Sequence, residues 1–328
     1  MDCCCHNDHV IAQGSVLLQN TPLFPTAISK QPSFHFRVPG KRCGISYGTV
    51  TNIYQAVSSA PTCCQMYLGD PTTYQCSTLT PEEKEEVRMA CEEGDKTFYV
   101  HCPFVANLAK SHQQPSWANA IVAQELAVVE GLPAACVLHI GKSGGSRSSL
   151  DYKTGTLEMV AQNINSLQAM GQLPRSHQTR VPYHLLLEVA AGQGTELGSD
   201  WNQIRKLYEG IDYSRVGFCL DTQHAFAAGM SDFSNHESII KLFDEASAIY
   251  TGGISLIHLN DSAVEYGRRV DRHAPLRSGH IWREDDQGLR SLVNFAKLSG
   301  IDLISETSDP VTDQAIVESY WNDNNSFH

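Results

Sequence analysis

Asp221 and His224 stand at the end of an apolar run, V-G-F-C-L-D-T-Q-H, that spans Val216 to His224. The run has the length of a buried strand, and one helical turn from Asp221 to His224 would set the two side chains on one face. A strand that delivers a carboxylate and a histidine at its C-terminal end has the chemistry of a metal site. Other apolar runs finish in the same way. One ends in His101, one carries His139 beside its end, and one carries Glu188. Another carries His258, followed by Asn260 and Asp261, and another ends in Glu306. In Asp271-Arg-His273 the i, i+2 spacing of extended chain points both side chains the same way.

Taken singly, each of these residues has an ordinary explanation. A histidine at a strand end is commonly a satisfied core residue, and an acid there is commonly the N-cap of the next helix. Together they make five histidines and four acids, and no cysteine. Burying such groups uncompensated would cost several kcal/mol each, and multivalent cations are the simplest compensation. Nine donors with one bridging carboxylate suit about three ions that keep open positions for water or substrate. Mixed imidazole and carboxylate ligation fits zinc, with manganese or iron as alternatives. Clustered divalent cations suit phosphodiester hydrolysis, because they acidify water and neutralise charge on the leaving oxygen.

The elements that must position these donors follow a regular alternation. Apolar runs of strand length occur at Cys43–Tyr47, Cys64–Leu68, Phe98–His101, Cys136–Ile140, His184–Val189, Val216–Asp221, Ser255–Leu259 and Asp302–Ser305. Helical spacing lies between them, over Pro81–Glu93, Trp117–Glu130, Leu157–Met170, Trp201–Glu209, His236–Tyr250 and Gly288–Leu298. Val50–Ala60 is a weaker helix, Ala315–Trp321 closes the chain, and Thr80 is the expected N-cap of the helix that starts at Pro81. Strands alternating with helices imply parallel pairing through right-handed crossovers. Eight such units close a (β/α)8 TIM barrel, with an open doubly wound sheet as the runner-up. The donors then sit on six of the eight strands, at the end where barrel enzymes carry their chemistry. Two polar connections, Lys142–Lys153 and Gln172–Tyr183, interrupt the rhythm.

Residues 1–40 read differently, as an irregular N-terminal extension that is flexible or loosely packed, ahead of a barrel domain over 41–328. The extension holds Cys3, Cys4, Cys5, His6 and His9, but three adjacent cysteines lack the spacing of a zinc motif. In 328 residues, 11 cysteines are too sparse for a disulfide scaffold, so a reduced, intracellular protein is expected, whether of nucleus, cytoplasm or virion. No apolar stretch reaches the ~20 residues of a membrane helix, and no basic segment with an apolar core marks a signal peptide. The net charge of −12 argues against a uniformly basic coat for nucleic acid, but not against one cleft where cations and arginines reverse the field. Gly141-Lys142-Ser143 lacks the earlier glycine of a phosphate loop. Asn260-Asp261-Ser262 matches a glycosylation acceptor, but it sits at a site-facing strand end.

The stretches G-F-C-L-D-T-Q-H-A-F-A-A-G, H-L-N-D-S, V-D-R-H and E-V-A-A-G-Q-G-T-E-L-G resemble endonuclease IV, the metal-dependent AP endonuclease family. The resemblance runs from about Lys41 to the C-terminus and is strongest from Glu188 to Glu306. It places the family's nine metal ligands on His101, His139, Glu188, Asp221, His224, His258, Asp271, His273 and Glu306. It also implies a partition in which Glu188 bridges two ions. One ion takes His101 and His139, a second takes Asp221, His258 and Glu306, and a third takes His224, Asp271 and His273. The implied activity is hydrolysis 5′ to abasic sites in duplex DNA, leaving a 3′-hydroxyl for base excision repair, with removal of 3′-blocking groups as a second activity. Glu188 would be the central catalytic residue.

By the same analogy, Phe104 and Val105 would act as apolar wedges at the lesion, with loop packing as the plainer alternative. Tyr67, Gly69 and Tyr74 would face the minor groove, and Arg268, Arg269, Arg272 and Arg277 would contact phosphates. The implied partner is damaged double-stranded DNA, bound by a monomer. The sequence departs from the family at Ser46, where a histidine is usual, at Val189 and Ala190 in the usual E-N-T-A-G, and at Gln223, where a cysteine is common. Two other readings stand beside this one: a sugar isomerase or epimerase on a similar barrel, which would use fewer metals, and a DNA-binding relative without catalysis.

Overall fold

The computed structural model describes residues 42–73, 75–110, 117–144, 150–169, 183–211, 216–250 and 252–322. The expected extension over 1–40, Tyr74 and most of the Gln172–Tyr183 connection lie outside the described residues.

Seven strands run in the order β1 (Cys43–Thr49), β2 (Cys63–Tyr67), β3 (Thr97–His101), β4 (Ala134–His139), β5 (Leu185–Glu188), β6 (Val216–Asp221) and β7 (Ile254–His258). A two-stranded ribbon follows, β8 (Asp261–Ser262) with β9 (His273–Ala274), and then the last barrel strand, β10 (Asp302–Ser305). Each barrel strand pairs in parallel with its neighbours, and β10 closes the ring against β1. The TIM barrel expected from the alternation is therefore present, and the open sheet is not. The strands are apolar almost throughout because both faces are covered, by helices outside and by packed side chains inside.

The barrel interior holds Tyr99, Val137, Leu186, Cys219, Leu256 and Ile304, all buried. Its floor is polar. Asp302 accepts hydrogen bonds from Arg42 Nη2 at 2.9 Å, Thr97 Oγ1 at 2.6 Å and Tyr99 Oη at 2.8 Å, so this buried acid is fully paired.

Helices α1 (Ile53–Ser59), α2 (Pro81–Gly94), α3 (Trp117–Val129), α4 (Leu150–Ala169) and α5 (Trp201–Tyr208) form one part of the outer layer. It is completed by α6 (Thr222–Ala228), α7 (His236–Ile249), α8 (Gln287–Ser299) and α9 (Pro310–Trp321). Thr80 caps α2 as expected, in a reciprocal capping box with Glu83. Each fully buried Leu, Ile or Phe of this layer is worth about 1.5–3 kcal/mol, and Phe243 of α7 packs against Phe295 of α8 with centroids 3.7 Å apart and the rings tilted by 31°.

Four local expectations are corrected. The first helix is shorter than Val50–Ala60, because Asn52 caps it and accepts the N–H of Gln55. The fourth helix starts at Leu150, inside the connection read as polar. The last starts at Pro310 rather than Ala315, with Asp309 as its cap and proline at the first position. The helix α6 and the β8–β9 ribbon were not foreseen, and both carry candidate donors.

Candidate metal centre and its family

Parallel pairing sets the donors side by side. His139 and Glu188 are register partners across β4 and β5, and Asp221 and His258 are partners across β6 and β7. Partners in register point to the same side of a sheet, here into the mouth of the barrel. His101 ends β3, and Glu306 follows β10. His224 comes from the first turn of α6 and His273 from β9, so the two unforeseen elements add donors to the rim.

The distances suit ligands that share cations. Glu188 Oε2 lies 3.3 Å from His101 Nε2 and 3.1 Å from His139 Nε2. Glu188 Oε1 lies 3.0 Å from His258 Nδ1, which is 3.1 Å from Glu306 Oε2 and 3.9 Å from Asp221 Oδ2. On the rim, His224 Nε2 stands 3.4 Å from Asp271 Oδ1, and His273 Nε2 stands 3.6 Å from the same atom and 3.5 Å from Asp221 Oδ2. Bonds of ~2.1 Å around a tetrahedral cation would set ligand atoms about 3.4 Å apart. Three groups can each converge on one point: His101 with His139 and Glu188; Glu188 with Asp221, His258 and Glu306; and Asp221 with His224 and His273. Asp221 stands in two of these groups, and Asp271 flanks the histidines of the third.

The donor set fits divalent cations on a second count. Glu188 Oε2, His224 Nε2 and His273 Nε2 are buried without a hydrogen-bond partner, although buried polar atoms are ordinarily paired. The far nitrogens of two rings are tied down. His101 Nδ1 donates to the Cys102 carbonyl at 2.9 Å, and His224 Nδ1 donates to the Val189 carbonyl at 2.9 Å. A carbonyl only accepts, so each of these rings keeps a proton on Nδ1 and turns Nε2 toward the centre, where a cation would bind it, the arrangement usual for metal-bound histidine.

The field at the centre favours positive charge among fixed anions. Burial resists charging both rings, but Cys219, Glu306 and Glu188 override it at His258, and Asp221, Asp271 and Glu188 override it at His224, so both pKa values are held well above the ordinary imidazole value. Burial likewise opposes charge on Glu188, and the His139 and His258 rings override it, so its carboxyl is held well below the usual range. Asp271 is held down to about 2 against burial, chiefly by His224. The arrangement is a buried carboxylate set that stabilises cations, with rings turned to ligate them.

One contributor was given no role from the sequence. Asn260 Nδ2 donates to Asp221 Oδ2 at 2.8 Å and to Glu306 Oε2 at 3.3 Å, while its Oδ1 accepts the Glu306 N–H at 2.9 Å. It orients two donors from two strands, and its place directly after the His258-Leu259 strand end was the available signal. Asp261 is not a donor. It accepts the N–H groups of Ser262, Gly279 and Ile281 and so braces the ribbon loop.

The sequence matches a family described as a xylose isomerase-like TIM barrel over residues 55–321. A protein of Mycobacterium leprae named probable endonuclease 4 is 32% identical over 247 residues, 75% of this chain and 84% of that one. One of Streptomyces avermitilis with the same name is 30% identical over 250 residues, 74% of this chain and 75% of that one. The chain belongs to the endonuclease IV family.

Among solved structures, endonuclease IV of Thermus thermophilus superposes with a TM-score of 0.64 at 23% identity, covering 85% of this chain and 98% of that one. A D-tagatose 3-epimerase-like protein superposes with 0.61 at 16% identity over 85% and 97%, so the barrel itself is shared beyond endonuclease IV.

Two of the departures from the family have structural accounts. Val189 serves His224 through its backbone carbonyl, which any residue supplies. Gln223 Nε2 donates to the Val270 carbonyl at 3.0 Å and to Ser262 Oγ at 3.3 Å, tying α6 to the loop that carries Asp271. Ser46 lies on β1 in register with Gln65.

Of the outer candidates, Phe104 and Tyr67 stand beside the centre. Phe104 is 55% exposed, with its ring 5.7 Å from Tyr67, 6.0 Å from His101 and 5.8 Å from His139. Val105 and Tyr67 are half-buried beside it. Gly69 has a reason of its own, because a Cβ there would stand 2.0 Å from the Gln75 carbonyl oxygen. Arg268, Arg269, Arg272 and Arg277 are exposed, and Arg277 Nε pairs with Asp286 at 3.7 Å. Arg269 and Arg277 hold positive φ angles of 57° and 65°, uncommon outside glycine and concentrated at functional loops. The eight described cysteines are free, and no described helix is long and apolar enough to cross a membrane.

Proposed function

We propose that this chain is an AP endonuclease that hydrolyses the phosphodiester 5′ to an abasic site in duplex DNA. Water adds to phosphorus, the bond to the 3′ oxygen breaks, and that oxygen leaves with a proton as a 3′-hydroxyl. Removal of 3′-blocking groups is the same reaction at a strand end. The observation that carries the reading is that eight of the nine donors form three groups linked through Glu188 and Asp221, with Asp271 beside the third, a set that exceeds the needs of a single cation.

Cations held by these nine residues, zinc or in part manganese or iron, would supply Lewis acidity toward the phosphate and acidify water. The chain's own groups do the rest. Glu188, buried and held as an anion by the surrounding rings, keeps two donor groups in fixed relation. An abasic nucleotide has no base to unstack, so extruding it costs less than extruding a normal one. Phe104, exposed at the mouth beside His101 and His139, fills the space left by the missing base, with Val105 and Tyr67 behind it. Arg268, Arg269, Arg272 and Arg277 position the phosphates on a chain that is otherwise acidic. An epimerase of the same fold would have no use for the third donor group on the rim, and that group favours the nuclease.

The test is purified protein incubated with a duplex containing one abasic site, with and without chelator, beside Glu188→Gln. Nicking on the 5′ side that chelator and the substitution both abolish supports the proposal. A duplex left intact by metal-replete protein, or nicked equally by Glu188→Gln, refutes it.

A further inference from the structure

Gln65 is fully buried in the middle of β2, within the apolar run C-C-Q-M-Y, and is none of the nine donors. Its amide reaches across the barrel to two of them. Nε2 donates to Glu306 Oε1 at 2.6 Å, and Oε1 lies 2.8 Å from His258 Nε2. The orientation of the amide follows from its partners. An ionised Glu306 only accepts, so it must face the NH2 group, and the amide carbonyl then faces the ring. That carbonyl also only accepts, so His258 carries its proton on Nε2. Nδ1 is then the nitrogen at which a cation would take the place of a proton, and it stands within hydrogen-bond distance of Glu188 Oε1 at 3.0 Å and 3.1 Å from Glu306 Oε2.

A core glutamine with no such role would satisfy its amide on backbone or on other structural groups. Both partners of Gln65 instead belong to one donor group, that of Glu188, Asp221, His258 and Glu306. From the β1 side the register neighbour is Ser46, a short side chain, so the reach into this group falls to Gln65. Gln65 has no hydrogen bond to His101, His139, His224 or His273 among those of the described residues.

We propose that Gln65 is a positioning residue for one cation of the centre. A single amide selects the ligating tautomer of His258 and fixes the Glu306 carboxylate, and it thereby sets the affinity of the ion held by Glu188, Asp221, His258 and Glu306. The other two groups do not depend on it. This rests on the metal reading of that group, and on the nuclease reading only for its activity readout.

The test compares the wild-type chain with Gln65→Met, which keeps the volume and removes both hydrogen bonds, and Gln65→Asn, which keeps the amide and shortens its reach. Zinc bound per chain is measured by equilibrium dialysis over a range of free zinc. Thermal unfolding of the chelated proteins and kcat and KM on an abasic duplex are measured alongside. One ion should bind roughly 10- to 100-fold more weakly in both variants, the usual loss when a partner of a ligand is removed, with the others unchanged. At limiting zinc, kcat should fall by a similar factor and return with excess zinc, with KM for DNA unmoved because Gln65 is buried. Wild-type affinity for every ion, a uniform weakening of all of them, or a fall in chelated-protein Tm with no change in zinc affinity would overturn the proposal. A wild-type chain that nicks nothing, with one ion still weakened in the variants, would refute the nuclease reading and support the role of Gln65.

Discussion

Asp221 Oδ1 accepts the backbone N–H of His224 at 2.8 Å, while Oδ2 of the same carboxylate faces the donors of the barrel mouth. One oxygen meets the ordinary explanation of a strand-end acid, a cap on the next helix, and leaves the other for the proposed metal centre. The cap also fixes where His224 stands, so the strand-to-helix turn couples the inner donors to the rim.

Substitution separates the two roles of Asp221. Asn is as good an N-cap as Asp but brings no charge to a cation. Asp221→Asn should lose abasic-site nicking by more than about 100-fold, since even partners of ligands cost up to that much. In the chelated state, Asp221→Ala should unfold about 1 kcal/mol more easily than Asp221→Asn, because it also loses the cap. Equal stability of the two variants would show that the cap bond contributes nothing.

Glu125 on α3 gives a pH dependence outside the centre. It is buried with Oε2 lacking a hydrogen-bond partner, and burial, opposed by the Cys102 thiol, pushes its pKa up to about 7. Between the unfolded value of ~4.3 and about 7, the native chain holds a proton that the unfolded chain has released, so stability falls as pH rises through that window. The loss is on the order of 3 kcal/mol once Glu125 is ionised. Urea unfolding of wild type and Glu125→Gln should coincide near pH 4 and diverge by pH 8, with the variant more stable. Parallel curves across the range would contradict the raised value.

Phe104 should matter for the lesion and not for the fold. With its ring over half exposed, Phe104→Ala should change Tm little. Binding to an abasic duplex should weaken several-fold more than binding to the undamaged duplex, as read by fluorescence anisotropy at one salt concentration. Equal losses on both duplexes would return Phe104 to loop packing.

All eight barrel strands were legible in the sequence because strands covered on both faces read as uninterrupted apolar runs. The residues that the structure draws together at the barrel mouth were legible too, because imidazoles and carboxylates at the ends of such runs are conspicuous. The parts that stayed hidden have physical reasons. The short helix α6 and the two-residue strands β8 and β9 are too brief for a periodicity to develop. The start of the fourth helix at Leu150 lies in a stretch whose composition suits a loop, where tertiary context outweighs propensity. Asn260 and Gln65 carry uncharged amides, and nothing in an amide's identity distinguishes a structural bond from one made to a ligand. A polar side chain two residues before Tyr67, on the inward face of an apolar strand, was the one available signal for Gln65.

The central claim, that a cluster of about three cations held around Glu188 drives cleavage at abasic sites, is tested most directly by returning zinc to chelated protein. Bound metal per chain and nicking of an abasic duplex are followed together. Activity should stay near zero at low loading and rise to its full value as bound zinc approaches about three per chain. Full activity in the chelated protein, or saturation of activity and binding together at a single ion, would contradict it.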